Sequence, residues 1–94
     1  MSVAVRVPTI LRTYTKGESD VTVDVPEGAT LADVLGALDA AYPGIGARVL
    51  DDTGQIRRFV NVYVNEDDVR FSDGLQTPTP AGAKVSVIPA VAGG

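Results

Sequence analysis

The group in this chain best placed to undergo chemistry belongs to the main chain. The sequence ends Pro89-Ala90-Val91-Ala92-Gly93-Gly94, so the terminal carboxylate sits on two successive glycines. Neither glycine has a Cβ, and both can adopt backbone angles closed to other residues. Such an end can thread a narrow channel and present its carbonyl carbon at the bottom. An enzyme can activate a carboxylate delivered in this way with ATP and exchange its oxygen for another nucleophile. Gly94 is therefore the expected reacting position, and Val91, Ala92 and Gly93 are the segment expected to thread a partner's active site. The opposing reading is a frayed terminus that happens to finish in glycine.

The rest of the chain offers little competing chemistry. Its 94 residues include no histidine and no cysteine. That excludes the commonest general base, the nucleophile–histidine arrangements and the thiolate metal sites. Glu66-Asp67-Asp68 and Asp51-Asp52 are runs of carboxylates without the glycine-spaced loop of a calcium site, and read as solvated turns. No catalytic residue, resident cofactor or metal site is expected. The formal net charge is −4. An acidic balance argues against a nucleic-acid or anionic-membrane partner and suits a protein partner that is basic around its docking groove. Arg57-Arg58 is a basic pair that reads as surface or as a contact to acidic groups on a partner. No apolar run approaches a membrane span and no signal-peptide pattern opens the chain, so a cytoplasmic location is expected.

What must hold the carboxylate out is a small folded domain. The length and a hydrophobic share of 45% fit one domain over 1–94, a monomer when free, with a flexible tail over 89–94. Val3, Val5 and Val7 alternate with Ala4 and Arg6, the period-two mark of a half-buried strand that Pro8 ends. Val21, Val23 and Val25 alternate in the same way after the turn residues Thr15-Lys16-Gly17-Glu18-Ser19, which predicts a hairpin. Thr30 and Asp33 form a capping-box variant before Leu31, Val34, Leu35, Leu38 and Tyr42, which fall on one helical stripe that Pro43-Gly44 closes. Ala47-Arg48-Val49-Leu50 reads as a short helical piece. Residues 59–64 predict a strand with Val60, Val62 and Val64 on one face and Phe59, Asn61 and Tyr63 on the other. Asn65-Glu66-Asp67-Asp68 turns the chain into a short strand, Val69-Arg70-Phe71. Pro78, Pro80 and Gly82 mark a loop before a final strand, Lys84-Val85-Ser86-Val87-Ile88.

Hairpin, helix, then strands to the end is the element order of the α+β fold called β-grasp. It has a mixed sheet of about five strands with one main helix packed across one face. The first and last strands would lie parallel in the middle, projecting the tail away from the core. With Val85 and Val87 facing the helix, Ile88 would lie on the opposite face beside Asn61 and Tyr63. That patch would dock a partner, though a single exposed isoleucine needs no such explanation.

The ending 82–94, with its Gly-to-strand unit, its Pro89 exit and its Val-Ala-Gly-Gly close, resembles that of the ubiquitin-like sulfur carrier proteins of the ThiS and MoaD group. Val62-Tyr63-Val64-Asn65 is similar to the family's strand ending in Val-Asn. The stretches 58–72, Pro8-Thr9-Ile10-Leu11-Arg12 and 89–94 are similar to the actinobacterial CysO carriers in particular. The hairpin and the 51–56 loop match no family motif. The resemblance implies a carrier and not an enzyme. Its Gly94 carboxylate would be adenylated by an ATP-using adenylyltransferase/sulfurtransferase of the ubiquitin-activating type and converted to a thiocarboxylate. A sulfur-accepting biosynthetic enzyme, of cysteine, thiosugar, molybdopterin or thiamin synthesis, would then consume it. It also implies that the outer sheet face, with Ile88, Tyr63 and Asn61, meets the activating enzyme. A ubiquitin-like modifier joined through Gly94 to target lysines would share the adenylation step.

Overall fold

Alternating valines build the sheet. In a computed structural model that describes residues 1–89, strands β1 (Ser2–Arg6), β2 (Asp20–Asp24), β3 (Val60–Val64), β4 (Asp67–Asp68) and β5 (Lys84–Pro89) form one mixed sheet in the order β2-β1-β5-β3-β4. Val3, Val5, Val21, Val23, Val60, Val62, Val64, Val85 and Val87 are all buried, while the residues between them face outward. Because side chains alternate along a strand, every valine row points to one side, and that side needs a cover.

Helix α1 (Leu31–Ala41) supplies the cover, burying Leu31, Val34, Leu35 and Leu38 against the sheet. At its start the Asp33 carboxylate accepts the Thr30 N–H at 2.9 Å and the Thr30 hydroxyl at 3.3 Å. The carboxylate thus satisfies one amide and lies at the positive end of the helix. The helix ends at the Tyr42 C-cap, and two residues on Gly44 turns the chain with φ +100°, where a Cβ would stand 2.9 Å from the Tyr14 ring. Glycine is needed at 44 on both counts. A second short helix, α2 (Gly46–Val49), follows and buries Val49.

The pairing matches the expected order. β1 and β2 are antiparallel, β1 and β5 are parallel with Val5 opposite Val85, and β3 and β5 are antiparallel with Val62 opposite Val87. Asn65 sews β3 to β5: its N–H donates to the Lys84 carbonyl at 2.7 Å and its Oδ1 accepts the Lys84 N–H at 3.1 Å. It does so at φ +58°, in the left-handed region that asparagine tolerates better than most residues.

One element differs from expectation. Val69–Phe71 is a turn of 3-10 helix and not a strand; the returning strand is only Asp67–Asp68. The Asp68 side chain accepts the Arg70 N–H at 2.9 Å and so caps the new turn, which pulls the backbone out of the ladder. Val69 turns into the core and Phe71 is left 90% exposed. Two other short 3-10 turns, Thr9–Leu11 and Gly74–Gln76, fall in stretches that carry no periodic signal.

Candidate functional site

β5 is both the central strand and the last. Its end is therefore braced on two sides, by the end of β1 and by the start of β3. Pro89, expected as the first tail residue, is the last residue of β5 and lies opposite Val60. The strand thus carries the chain out of the sheet from its middle. Val91, Ala92, Gly93 and Gly94 lie outside the described residues.

The patch expected on the outer face is assembled by register. Ile88 lies opposite Asn61, and Ser86 lies opposite Tyr63. Ile88 is 48% exposed, Asn61 and Tyr63 are half-buried, and Val85 and Val87 face the helix. Sequence alternation therefore assigned the two faces correctly. A second isoleucine joins Ile88 at the strand end: Ile10, 66% exposed, lines a shallow groove with Ile88, Pro89, Arg6 and Arg12. On the helix side of the same strand end a groove of about 260 Å³ is lined in part by Leu11, Tyr14, Arg48, Val60, Val87 and Pro89.

The arginines gather here. Arg6 closes β1 beside β5, and Arg57 and Arg58 lie just before β3. Arg12 Nε donates to the Val7 carbonyl at 3.1 Å, and Arg48 Nε to the Tyr14 hydroxyl at 2.8 Å. That hydroxyl raises the Arg48 pKa. Arg57 Nε donates to the Ala47 carbonyl at 3.0 Å. Among the described residues the only ion pair is Lys84 with Asp20, at 3.7 Å. The anchored guanidinium groups are thus held by neutral acceptors, and their charge is left for something else.

Arg70 carried no signal in the sequence, yet it is the most heavily bonded side chain at this end. Its Nη1 donates to Asn61 Oδ1 at 3.0 Å, and its Nη2 meets the carbonyls of Arg57, Arg58 and Val60 at 3.0, 2.8 and 2.7 Å. The signal is invisible in sequence because three of the four acceptors are backbone carbonyls, at and just before the start of β3.

The acidic runs hold no metal-ligand constellation: no group of three or more ligating side chains occurs among the described residues. Asp51 instead organises its own turn, accepting the Thr53 hydroxyl at 2.6 Å and the N–H groups of Thr53 and Gln55 at 2.9 and 3.1 Å. Those bonds, the Thr53 hydroxyl first, hold its carboxyl below the ordinary aspartate value of 3.8. Among the described residues no helix is long and apolar enough to cross a membrane.

A mixed five-stranded sheet, crossed on one face by one main helix and releasing its last strand from the centre, defines a ubiquitin-like β-grasp domain. Within that class the chain belongs to the ThiS family, whose model matches residues 5–94. It is 48% identical to the sulfur carrier protein CysO of Mycobacterium tuberculosis, over the whole of both chains. It is also 40% identical to small archaeal modifier protein 3 of Haloferax volcanii, over 83% of this chain and 84% of that one. Among solved structures, the Amycolatopsis orientalis BexX/CysO complex contains a chain with 43% identity and a TM-score of 0.88, covering 98% of this chain and 99% of that one.

Proposed function

We propose that this chain is a sulfur carrier of the ThiS and CysO kind, working through the Gly94 carboxylate. The observation that carries the reading is the position of β5. In a member of this family the strand preceding the Gly-Gly end is the buried central strand, so the fold supports the root of the tail from both sides. The terminal carboxylate oxygen attacks the α-phosphate of ATP held by an adenylating enzyme of the ubiquitin-activating type, and pyrophosphate leaves. A sulfur nucleophile then attacks the carbonyl carbon and AMP leaves, giving a C-terminal thiocarboxylate. A biosynthetic enzyme takes the sulfur. ATP is a substrate of the activating enzyme, and the covalent groups on Gly94 are an acyl-adenylate and then sulfur.

Docking falls to the outer-face patch of Ile88, Tyr63 and Asn61, and Val91, Ala92 and Gly93 enter the partner. The complex of a CysO relative with BexX supports the use of protein partners of this kind. The sulfur acceptor belongs to cysteine synthesis, as the CysO likeness favours, or to a thiosugar, molybdopterin or thiamin route. A second reading has its own support in the likeness to small archaeal modifier proteins: conjugation of Gly94 to lysine amines.

Intact mass of the protein purified from its own host tests the two. Exchange of one oxygen for sulfur at the C-terminus is the expected result. A ladder of larger conjugates with no sulfur-bearing form would replace the carrier by the modifier.

A further inference from the structure

Strand β4 is too short to cover its neighbour. It pairs with β3 only at Tyr63 and Val64, so the first residues of β3 have no strand on that side. An uncovered edge exposes backbone groups and leaves the strand free to shift. The place of the missing strand is taken by one side chain. Arg70 lies on the 3-10 turn that leaves β4 and reaches back along the open edge. Its guanidinium spans the Arg57, Arg58 and Val60 carbonyls and Asn61 Oδ1 at 2.7–3.0 Å. Nη2 carries two N–H groups and meets three carbonyls, so at least one N–H is shared between two acceptors, while Nη1 reaches Asn61 from the same planar group.

The residues it holds are those that hold the end of β5. Val60 lies opposite Pro89 and Asn61 opposite Ile88. Pro89 has no N–H to give to the ladder. The Val60 N–H donates to the Arg57 carbonyl at 3.0 Å, and the Val60 carbonyl accepts from Arg70. Val60 and Pro89 form a non-hydrogen-bonded pair, so the Val60 N–H and carbonyl point away from β5 to the open edge, and it is there that Arg57 and Arg70 engage them.

We propose that Arg70 is a positioning residue for carrier activation: by clamping the start of β3 it fixes the place and direction in which β5 ends and hands the chain on to residues 90–94. This rests on the carrier reading above. Arg70 touches no reacting atom in this scheme. Its effect reaches the reaction through Val60, Asn61 and the strand opposite them. A reaction that needs a carbonyl carbon delivered deep in a partner is sensitive to small errors at the root of the segment that delivers it.

The test uses the full-length chain and the host's adenylating enzyme, followed by carrier-dependent pyrophosphate exchange. Variants Arg70→Lys and Arg70→Ala are assayed well below their melting temperatures. Arg70→Lys keeps the charge and most of the stem, so it serves if the alanine variant fails to fold. The expected result is a maximal exchange rate about tenfold lower, with the half-saturating carrier concentration within about twofold of wild type. In parallel, amide hydrogen exchange at Asn61 and Ile88 is faster while that at Val5 and Val34 is unchanged.

Unchanged exchange kinetics in a folded variant would make Arg70 a purely structural tie and overturn the proposal. So would a raised half-saturating concentration with an unchanged maximal rate, which is the mark of direct docking. Failure of the wild-type chain to support any pyrophosphate exchange is a different outcome and strikes the carrier reading itself. The hydrogen-exchange arm still decides whether Arg70 holds the strand end.

Discussion

The two ends of the sheet are chemically unlike. At the end where β5 stops lie all six arginines, two exposed isoleucines and the root of the tail. At the other end lie Asp24, Glu27, Asp33, Glu66 and Asp67, around the turns that join β2 to α1 and β3 to β4. The exit end has acids as well, but several are engaged inside the domain. Asp39 accepts the Gly44 and Gly46 N–H groups at 3.2 and 2.9 Å, Asp51 organises its turn and Asp20 meets Lys84. The N–H groups bonded to Asp39 and Asp51 are neutral and cancel no charge, so the exit end carries both signs, and what sets it apart from the far end is its gathering of arginines. A basic partner groove, the expectation from net charge, suits the far end. The arginines around the end of β5 would meet acidic groups on a partner, which charge reversal tests.

The largest effect expected from breaking this asymmetry is total. Deleting Gly94, or adding one residue after it, should abolish thiocarboxylate formation and leave the circular dichroism spectrum unchanged. Full activity without Gly94 would remove the exit end from the chemistry altogether. Gly93→Val should block pyrophosphate exchange far more than Ala92→Val, since a β-branched side chain both widens and stiffens the backbone.

Next in size is a contrast between neighbours on β5. Val87→Asp buries a charge against α1 and should cost several kcal/mol, unfolding the domain on heating or in denaturant. Ile88→Asp, one residue on, should shift the melting temperature little while weakening binding to the adenylating enzyme. A large stability loss from Ile88→Asp would show that the outer patch belongs to the core.

Charge reversal sharpens the comparison directly. Arg6→Glu with Arg58→Glu should slow association with the adenylating enzyme about tenfold at low salt, and less at high salt. Glu66→Lys with Asp67→Lys at the far end should leave it nearly unchanged. Stopped-flow binding across a salt series reads both. If reversal at the exit end speeds association, the partner groove is basic after all.

Smaller still is a change at the far end. Thr79 is buried, and its hydroxyl donates to the Ala29 carbonyl at 2.8 Å. Thr79→Val should cost about 1 kcal/mol in urea unfolding, with activation untouched. The smallest effect belongs to Asp51. Its folded pKa lies below the unfolded one, so its contribution is present above the ordinary value of 3.8 and lost as pH falls through the lower, folded value. Acid titration by NMR should show the 51–55 turn loosening there before the sheet does, and Asp51→Asn should remove that early step.

Much of this was legible in the chain. Valine alternation identified four of the strands and which side of each is buried, and the Leu31-to-Leu38 spacing identified the helix that covers them. The central parallel pairing of the first and last strands followed from the element order of the β-grasp fold, and Ile88 fell on the predicted face. The failures share a cause. Val69-Arg70-Phe71 alternates like a strand, but a local bond from Asp68 to the Arg70 amide competes with the ladder and prevails. Arg70 itself looked like any surface arginine, because what it binds is the backbone of residues 57–60, and backbone acceptors leave no trace in residue type. The clustering of arginines was equally hidden, since they are scattered from 6 to 70 in sequence and meet only when the strands are laid side by side.

The parallel pairing of β1 with β5 has a consequence for how the molecule is made. Position 5 must find position 85, almost the full length of the chain away, and contacts of such separation form late. Until β5 exists, β1 and β3 each show an unpaired edge to the gap between them, and the valines beneath have no finished floor. A chain cut short by a stalled ribosome or a protease before residue 84 is thus left sticky and easily degraded. Completion of the sheet and placement of the tail-bearing strand are one event, so only a chain that includes its last strand has a finished core.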